Sequence, residues 1–100
     1  MDSIKASLEK VIGSYSGEGL NGYAYLSHDT VKDVYTVISV GYIKKQRSVD
    51  ANLIVRLVAD KIIIERDMND KTLVDALVQA GIPRTQIILA YAGEPAPEAV

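Results

Sequence analysis

One continuous stretch, from Tyr35 to Arg66, most constrains how this chain can fold. Its β-branched, aromatic and aliphatic residues form short runs that polar breaks separate, a pattern typical of antiparallel strands joined by tight turns. Every second residue from Val49 to Ala59 is apolar, so we expect these side chains to line one face without interruption. The stretch therefore predicts a three-stranded meander at the centre of the fold.

The flanking segments predict two helices and two further strands. The first helix carries an apolar stripe at helical spacing, and Gly81 followed by Pro83 ends the second. The first helix is expected to have its stripe at Ile4, Leu8, Val11, Ile12 and Tyr15, a cap at Asp2 or Ser3 and a stop at Gly17. A strand is expected over Tyr23–His28, and a tight turn at Asp60-Lys61 within the meander. The second helix is expected over Asn69–Ala80, capped by Asn69, and the last strand over Ile87–Tyr91.

The predicted fold class is α+β. An antiparallel β-meander of about four strands is packed by an N-terminal helix and a second helix, and a short final strand follows. Ile62–Ile64 is apolar on both faces, so we expect both of its faces to be covered. Residues 1–91 are expected to form a single domain, and residues 92–100 an acidic, proline-containing tail that is extended or disordered.

Composition limits the function classes. The chain has no cysteine, which excludes disulfides, thiolate metal sites and thiol catalysis. Its net charge of −2 does not attract phosphate backbones to the molecule as a whole. No apolar run reaches the roughly 18 residues that a membrane span needs, and the N-terminus lacks a signal-peptide pattern. We therefore expect a cytoplasmic protein without a membrane segment.

Three motifs resemble functional sites by letter only. Gly17–Gly22 matches a dinucleotide fingerprint, but it follows a helix and precedes a strand, which is the reverse of the required order. Ser27, His28 and Asp29 are neighbours in a predicted strand, so they point to alternating faces and cannot form a relay. Asp67–Asp70 begins like a calcium loop but lacks its glycine and final glutamate. We identify no catalytic, cofactor-binding or metal-binding residue.

Three functional hypotheses remain. The first is a non-enzymatic regulatory domain that forms a homodimer and binds protein partners. The second is direct nucleic-acid binding by a basic hairpin tip, and the third is an enzyme or small-ligand module. The residues concerned are Tyr35, Tyr42, Ile63 and Tyr91 for an interface, Lys44, Lys45 and Arg47 for a nucleic-acid or partner contact, and Tyr35, Asp50, Asn52 and Arg56 for a small-ligand site.

Several short runs, in order along most of the chain, resemble the XisI family of fdxN-element excision controlling factors. The clearest is the helix stop Ala80-Gly81-Ile82-Pro83 that precedes a short strand. The other matching pieces are Asp29-Thr30, Asp33, Tyr35, Val40-Gly41-Tyr42, Arg47, Asp60-Lys61-Ile62 and Arg66-Asp67. Tyr42 stands where the family usually has Trp, and Met68-Asn69 replaces a Gly-Thr. The basic and aromatic ending of the family is absent after Tyr91.

The resemblance implies an accessory role in excising a DNA element by site-specific recombination, with a separate recombinase performing the chemistry. It also implies a protein partner similar to XisH, a companion with a nuclease-like fold. We expect that any nucleic-acid contact occurs only within a complex. It supplies no catalytic residue.

Overall fold

The structure, a computed structural model, describes residues 3–19 and 21–97. These residues form two α-helices and one mixed sheet of six strands. The elements are α1 (Ser3–Gly13), β1 (Gly17–Gly19), β2 (Gly22–Asp29), β3 (Val34–Ile43), β4 (Gln46–Val58), β5 (Lys61–Asp67), α2 (Leu73–Gln79) and β6 (Ile87–Leu89). Short 3-10 turns at Arg84–Gln86 and Ala90–Ala92 flank β6. No helix within this part of the chain is long and apolar enough to span a membrane.

The strands follow one another across the sheet in chain order. Neighbours are antiparallel except β5 and β6, which run parallel because α2 lies in the crossover between them. The α+β class and both helices are therefore confirmed. The prediction of about four strands and a final strand was one strand short, because Gly17–Gly19, expected as a loop, pairs with β2.

The two turns of the meander use residues with left-handed backbone angles. Lys44 and Lys45 join β3 to β4 with φ of 51° and 68°, and Ala59 and Asp60 join β4 to β5 with φ of 47° and 65°. Two consecutive positive φ values in a two-residue loop define a type I′ turn, whose twist matches that of the strands. The second turn therefore lies one residue earlier than the predicted Asp60-Lys61.

Both helices pack on the same side of the sheet, which is named the helix-covered face. Leu8 and Ile12 of α1 are fully buried there, and Ile4, Val11 and Tyr15 pack beside them, which confirms the predicted stripe. The other core residues are Tyr35, Val37, Leu53, Val55, Ile62, Ile64, Leu73, Leu77, Ile82 and Ile87. Burial of each large aliphatic side chain contributes about 1.5–3 kcal/mol.

A β-bulge at Asn52 divides β4 into two parts. Leu53 pairs with Val37 and Ala51 pairs with Ile38, so Asn52 is an extra residue that breaks the alternation of faces. Leu53 consequently faces the helices, whereas Ala51 and Val49 face the opposite side. The prediction of an unbroken apolar row from Val49 to Ala59 was wrong because one extra residue reverses the side-chain pattern.

Helix α2 starts later than predicted, but it is stopped at Gly81 as predicted. The helix begins at Leu73 rather than near Asn69, because the Asp67 carboxylate accepts the Leu73 N–H at 2.6 Å and the Asn69 N–H at 3.0 Å. At its other end Gly81 has φ of 99°, and Ile82 N–H donates to the Leu77 carbonyl at 3.1 Å. This closure is a Schellman motif.

The remaining differences concern α1. It ends at Gly13, four residues before the predicted stop at Gly17, which lies in β1 instead. Asp2 and the side chain of Ser3, the predicted caps, lie outside the described residues.

The left-handed backbone at Lys45 predicts a stabilising substitution. An L residue in this conformation costs roughly 1–2 kcal/mol relative to glycine, although glycine also loses more chain entropy on folding. We expect Lys45→Gly to raise the free energy of unfolding by about 1 kcal/mol in urea titrations. Lys45→Ala is the control, since it removes the charge and keeps the Cβ. An equal gain with alanine would assign the effect to charge rather than to backbone strain.

Candidate partner-binding surface

The side of the sheet away from the helices, named the open face, carries several aromatic side chains. Directly paired residues of neighbouring strands point to the same face. Tyr23 and Tyr25 of β2 pair with Val40 and Ile38 of β3. Tyr35 and Val37 of β3 point into the helix-covered core. Because side chains alternate along a strand, Ile38 and Val40 face the open side.

Five residues form a continuous group on the open face, named here the tyrosine–arginine patch: Tyr23, Tyr25, Tyr42, Arg47 and Val49. Tyr42 pairs directly with Arg47, and Val49 pairs with Val40 beside Tyr23. Tyr25, Tyr42 and Val49 are 55%, 53% and 51% exposed. Clusters of exposed aromatic and apolar side chains, unlike isolated ones, mark interaction surfaces.

Contacts within the patch hold its side chains in place. The rings of Tyr23 and Tyr25 meet edge to face, with centroids 5.0 Å apart and an interplanar angle of 74°. Hydrogen bonding to Tyr25 first, and to Arg47 second, lowers the pKa of the Tyr23 hydroxyl. The same kind of contact with Tyr23 and Tyr42 raises the pKa of Arg47, so the guanidinium stays charged.

The basic hairpin tip lies at one end of this patch. Lys44 and Lys45 are both exposed and follow directly after Tyr42 and Ile43. Glu18, which pairs with Tyr23 across β1 and β2, places a carboxylate at the other side of the patch. The end nearest the hairpin tip is therefore electropositive although the chain as a whole is acidic.

The four residues predicted for an interface lie in different environments. Tyr42 belongs to the patch, and Tyr91 is 44% exposed in the 3-10 turn after β6. Tyr35 and Ile63, in contrast, are buried inside the chain at 1% and 0% exposure. The full burial of Ile62–Ile64 agrees with the expectation that both faces of this strand are covered.

The structure does not bring the candidate small-ligand residues together. Tyr35 points into the helix-covered core, whereas Arg56 pairs with Val34 and so lies on the open face. Asn52 is the bulge residue, and its amide donates to the Ser39 hydroxyl. Among the described residues, no three His, Asp or Glu side chains are placed to hold a metal ion.

His28, the only histidine in the sequence, makes contacts that stabilise the fold. His28 stacks on Tyr35 with ring centroids 3.9 Å apart, and its Nε2 lies 3.0 Å from Asp33 Oδ1. The Tyr35 hydroxyl donates to Glu9 of α1 at 2.8 Å. Ser27 lies on the other face of β2, so the His28–Asp33 pair has no adjacent nucleophile in this strand. These contacts join α1 to the sheet.

In the glycine-rich segment, the backbone conformation requires glycine at Gly17 and Gly22. Gly22 lies where β2 passes β3 so closely that any Cβ would clash with the Val40 carbonyl oxygen. Gly17 has φ of 124°, a conformation that L side chains rarely adopt. The depression beside this segment is lined mainly by glycines and by Tyr15, Tyr23 and Ser39. The motif thus allows a narrow hairpin and supplies no phosphate-binding helix.

Part of the C-terminal tail is held against the open face. The Arg56 guanidinium donates to Glu65 at 2.7 Å and to the Pro97 carbonyl at 2.8 Å. Glu94 accepts the Leu89 N–H at 2.8 Å and pairs with Arg84 at 3.0 Å. These bonds place residues 93–97 at the β5 and β6 side of the sheet, away from the patch.

Sequence reasoning did not select Tyr23 or Tyr25. Their alternation within one strand was visible, but their neighbours on the same face depend on the register of three strands. Only that register aligns Tyr23 with Val40 and Tyr42 with Arg47. The signal available in the sequence was weaker: all six aromatic residues are tyrosines, a residue type suited to half-exposed surfaces.

The environment of Asp33 predicts a pH-dependent contribution to stability. Its hydrogen bond with His28, reinforced by Lys5 at 3.3 Å, lowers the pKa of Asp33 below its ordinary 3.8. A lowered carboxyl pKa stabilises the fold above the unfolded-state value, and this contribution is lost as pH falls through the folded-state value. We therefore expect Asp33→Asn to destabilise the protein at neutral pH and to have progressively less effect below about pH 4.

Urea unfolding of both proteins across this pH range measures the difference. Asparagine tolerates the positive φ of 51° at position 33, so the substitution tests the charge. Asp60→Asn is the control at another turn position with positive φ, where no side-chain partner exists among the described residues, and we expect little change there. A destabilisation by Asp33→Asn that persists unchanged at low pH would contradict the assignment.

Comparisons with known proteins agree with this architecture. The family described as XisI protein matches residues 2–98. A crystal structure of a XisI-like protein from Anabaena variabilis is similar with a TM-score of 0.65 and 20% identity, over 86% of this chain and 81% of that one. No curated protein matches the chain.

A second crystal structure adds similarity in sequence. It is the fdxN element excision controlling factor XisI from Anabaena variabilis, with 30% identity and a TM-score of 0.53, over 88% of this chain and 81% of that one. The family match extends over nearly the whole chain and confirms the family to which the sequence shows a resemblance. The chain belongs to the XisI family.

Proposed function

We propose that this chain is a non-enzymatic, cytoplasmic accessory protein that binds a protein partner through the tyrosine–arginine patch. The observation that carries the proposal is the exposure of this patch on a sheet face that neither helix covers. Tyrosine and arginine are the residue types, with tryptophan, that most often dominate binding energy at protein interfaces.

The construction of the patch favours tight binding. Its side chains extend from three paired strands, so their backbone positions are fixed before a partner arrives. A tyrosine side chain has two χ angles, and it presents a large contact area at a small cost in conformational entropy. The edge-to-face contact of Tyr23 with Tyr25 reduces that cost further. Preorganisation of this kind improves affinity.

The charge of the patch indicates the chemistry of its partner. Arg47 and the adjacent Lys44 and Lys45 make one end of the surface positive. A complementary surface would therefore combine apolar groups with carboxylates. The proposed partner is an XisH-like companion, and the proposed setting is control of DNA-element excision, the role named for the Anabaena relative.

Substitution of Tyr42 tests this surface. We expect Tyr42→Ala to weaken binding to the XisH-like protein of the same genome by about 2 kcal/mol, or roughly 30-fold. Isothermal titration calorimetry or biolayer interferometry measures the loss. Tyr91→Ala is the matched control, because Tyr91 is also half-exposed, at 44%, but lies outside the patch. A loss with Tyr91→Ala and none with Tyr42→Ala would move the interface elsewhere.

A second candidate function is direct binding of nucleic acid. The observation that favours it is the position of the exposed cations Lys44 and Lys45 next to exposed tyrosine rings. Single-stranded nucleic acids bind to surfaces that combine positive charge with aromatic stacking platforms.

The double variant Lys44→Asn/Lys45→Gly tests this second function. Asn-Gly is the preferred sequence for a type I′ turn, so the fold should gain stability while two cations are removed. If the tip binds phosphates, the variant should weaken binding of a fluorescent oligonucleotide and reduce the salt slope by about two. Absence of binding by the unmodified protein at low salt in fluorescence anisotropy would eliminate this function.

A further inference from the structure

Strand β2 has a free edge over half of its length. All eight of its residues pair with β3, but β1 pairs only with Gly22, Tyr23 and Ala24. From Tyr25 to Asp29 no described residue pairs with the other edge. Leu26 and Tyr25 flank this edge and are 37% and 55% exposed.

The hydrogen-bond register identifies which backbone groups are free. Tyr42 N–H donates to the Asn21 carbonyl, so this pair is hydrogen-bonded, and along β2 every second residue from Asn21 bonds to β3. The residues between them point their N–H and C=O groups outward. Gly22 and Ala24 are paired with β1. Leu26 and His28 therefore present two donors and two acceptors at the edge.

This edge lacks the features that usually prevent strands from pairing between molecules. Tyr25–Asp29 contains no proline or lysine, and the register of β2 with β3 shows no bulge. The opposite edge of the sheet differs, because β6 has three residues and 3-10 turns flank it. Short edge strands and interrupting turns are common protections, whereas a regular unpaired edge is a template for another strand.

We propose that the β2 edge pairs with the β2 edge of a second copy of this chain. The two strands run antiparallel about a two-fold axis at Ser27. Leu26 then forms a hydrogen-bonded pair with His28 of the second copy, and His28 with Leu26 of the second copy. This register uses all four free backbone groups of each chain, because a two-fold antiparallel pairing is self-complementary.

The length of the unpaired part of β2, and the side chains that would meet across the interface, both fit this register. Asp29 of the second copy lies opposite Tyr25, one residue before Ala24 meets Gly17 of β1. Tyr25 opposes Asp29, Ser27 opposes itself and Leu26 opposes His28, so no like charges meet. Other registers about Leu26 or His28 would oppose Ala24 or Thr30 and leave free groups unpaired.

This inference is independent of the proposed function, because it concerns the edge of the sheet and not its open face. A two-fold axis perpendicular to the sheet keeps the open faces of both copies on the same side. Pairing at the edge therefore leaves Tyr23, Tyr42, Arg47 and Val49 of the patch accessible, whereas Tyr25 lies beside the paired edges.

Substitutions at Ser27 test the dimer and its register. Ser27 is exposed, so Ser27→Lys and Ser27→Asp should leave the fold intact, which thermal unfolding checks. Sedimentation velocity over micromolar to millimolar concentrations should show a monomer–dimer equilibrium for the unmodified chain. Each variant alone should raise the dissociation constant about fivefold or more, because identical charges then lie directly opposite. An equimolar mixture of the two variants should recover the dimer.

The control is Thr85→Lys, which adds the same charge at the opposite edge of the sheet and should leave dimerisation unchanged. A monomer at every concentration, dimerisation of both variants equal to that of the unmodified chain, or no recovery in the mixture would overturn the proposal.

Amide hydrogen exchange gives a second measurement at residue resolution. The amides of Leu26 and His28 should become protected as protein concentration rises. Those of Tyr25 and Ser27, which bond to β3, should be protected at all concentrations. Exchange at Leu26 and His28 that does not depend on concentration would overturn the proposal.

Discussion

The small amount of helix available is the constraint on which the rest of this structure depends. Within the described residues, the two α-helices have 11 and 7 residues, or about 16 and 10 Å of length. Both pack on one face of the sheet, where Leu8, Ile12, Leu73 and Leu77 form the core with strand residues. No helix remains for the other face. Around the patch, that face consequently exposes tyrosine, arginine and aliphatic side chains that tolerate contact with water, whereas Ile63 at its other end is fully buried.

The bulge at Asn52 lets a single strand serve both faces. Toward the end of β4, Leu53 and Val55 fill the helix-covered core, while Val49 joins the open face near the hairpin. If Asn52 took a regular strand position and no bulge formed, Val49 would point to the same side as Leu53, and the patch would lose its aliphatic member. The bulge also places Asn52 next to Ser39, where the two side chains share a hydrogen bond. One inserted residue thus sets the composition of the binding surface.

Local patterns predicted the elements that depend on neighbouring residues. The stripe of α1, the meander and the glycine stop at Gly81 follow from spacing and backbone preference, and the structure contains them. The elements that depend on distant residues were not predicted. Gly17–Gly19 has no strand propensity and becomes a strand only because β2 lies beside it. Asp67 begins α2 from six residues away, which no capping pattern describes. Of the patch, Tyr42 and Arg47 were selected from the sequence, but Tyr23 and Tyr25 required the strand register.

The edge and the open face are linked through the period of two in β2. At Tyr25 the backbone bonds to β3 and the side chain points into the patch, while at Leu26 the backbone points outward from the sheet. In the proposed dimer, the two patches would therefore lie on one side of a continuous sheet, separated by the paired edges. A partner with two matching sites would bind the second patch at high effective concentration, and its overall affinity would rise without any new contact. Edge pairing would in this way strengthen binding on the open face, although it adds a neighbouring strand only beside Tyr25.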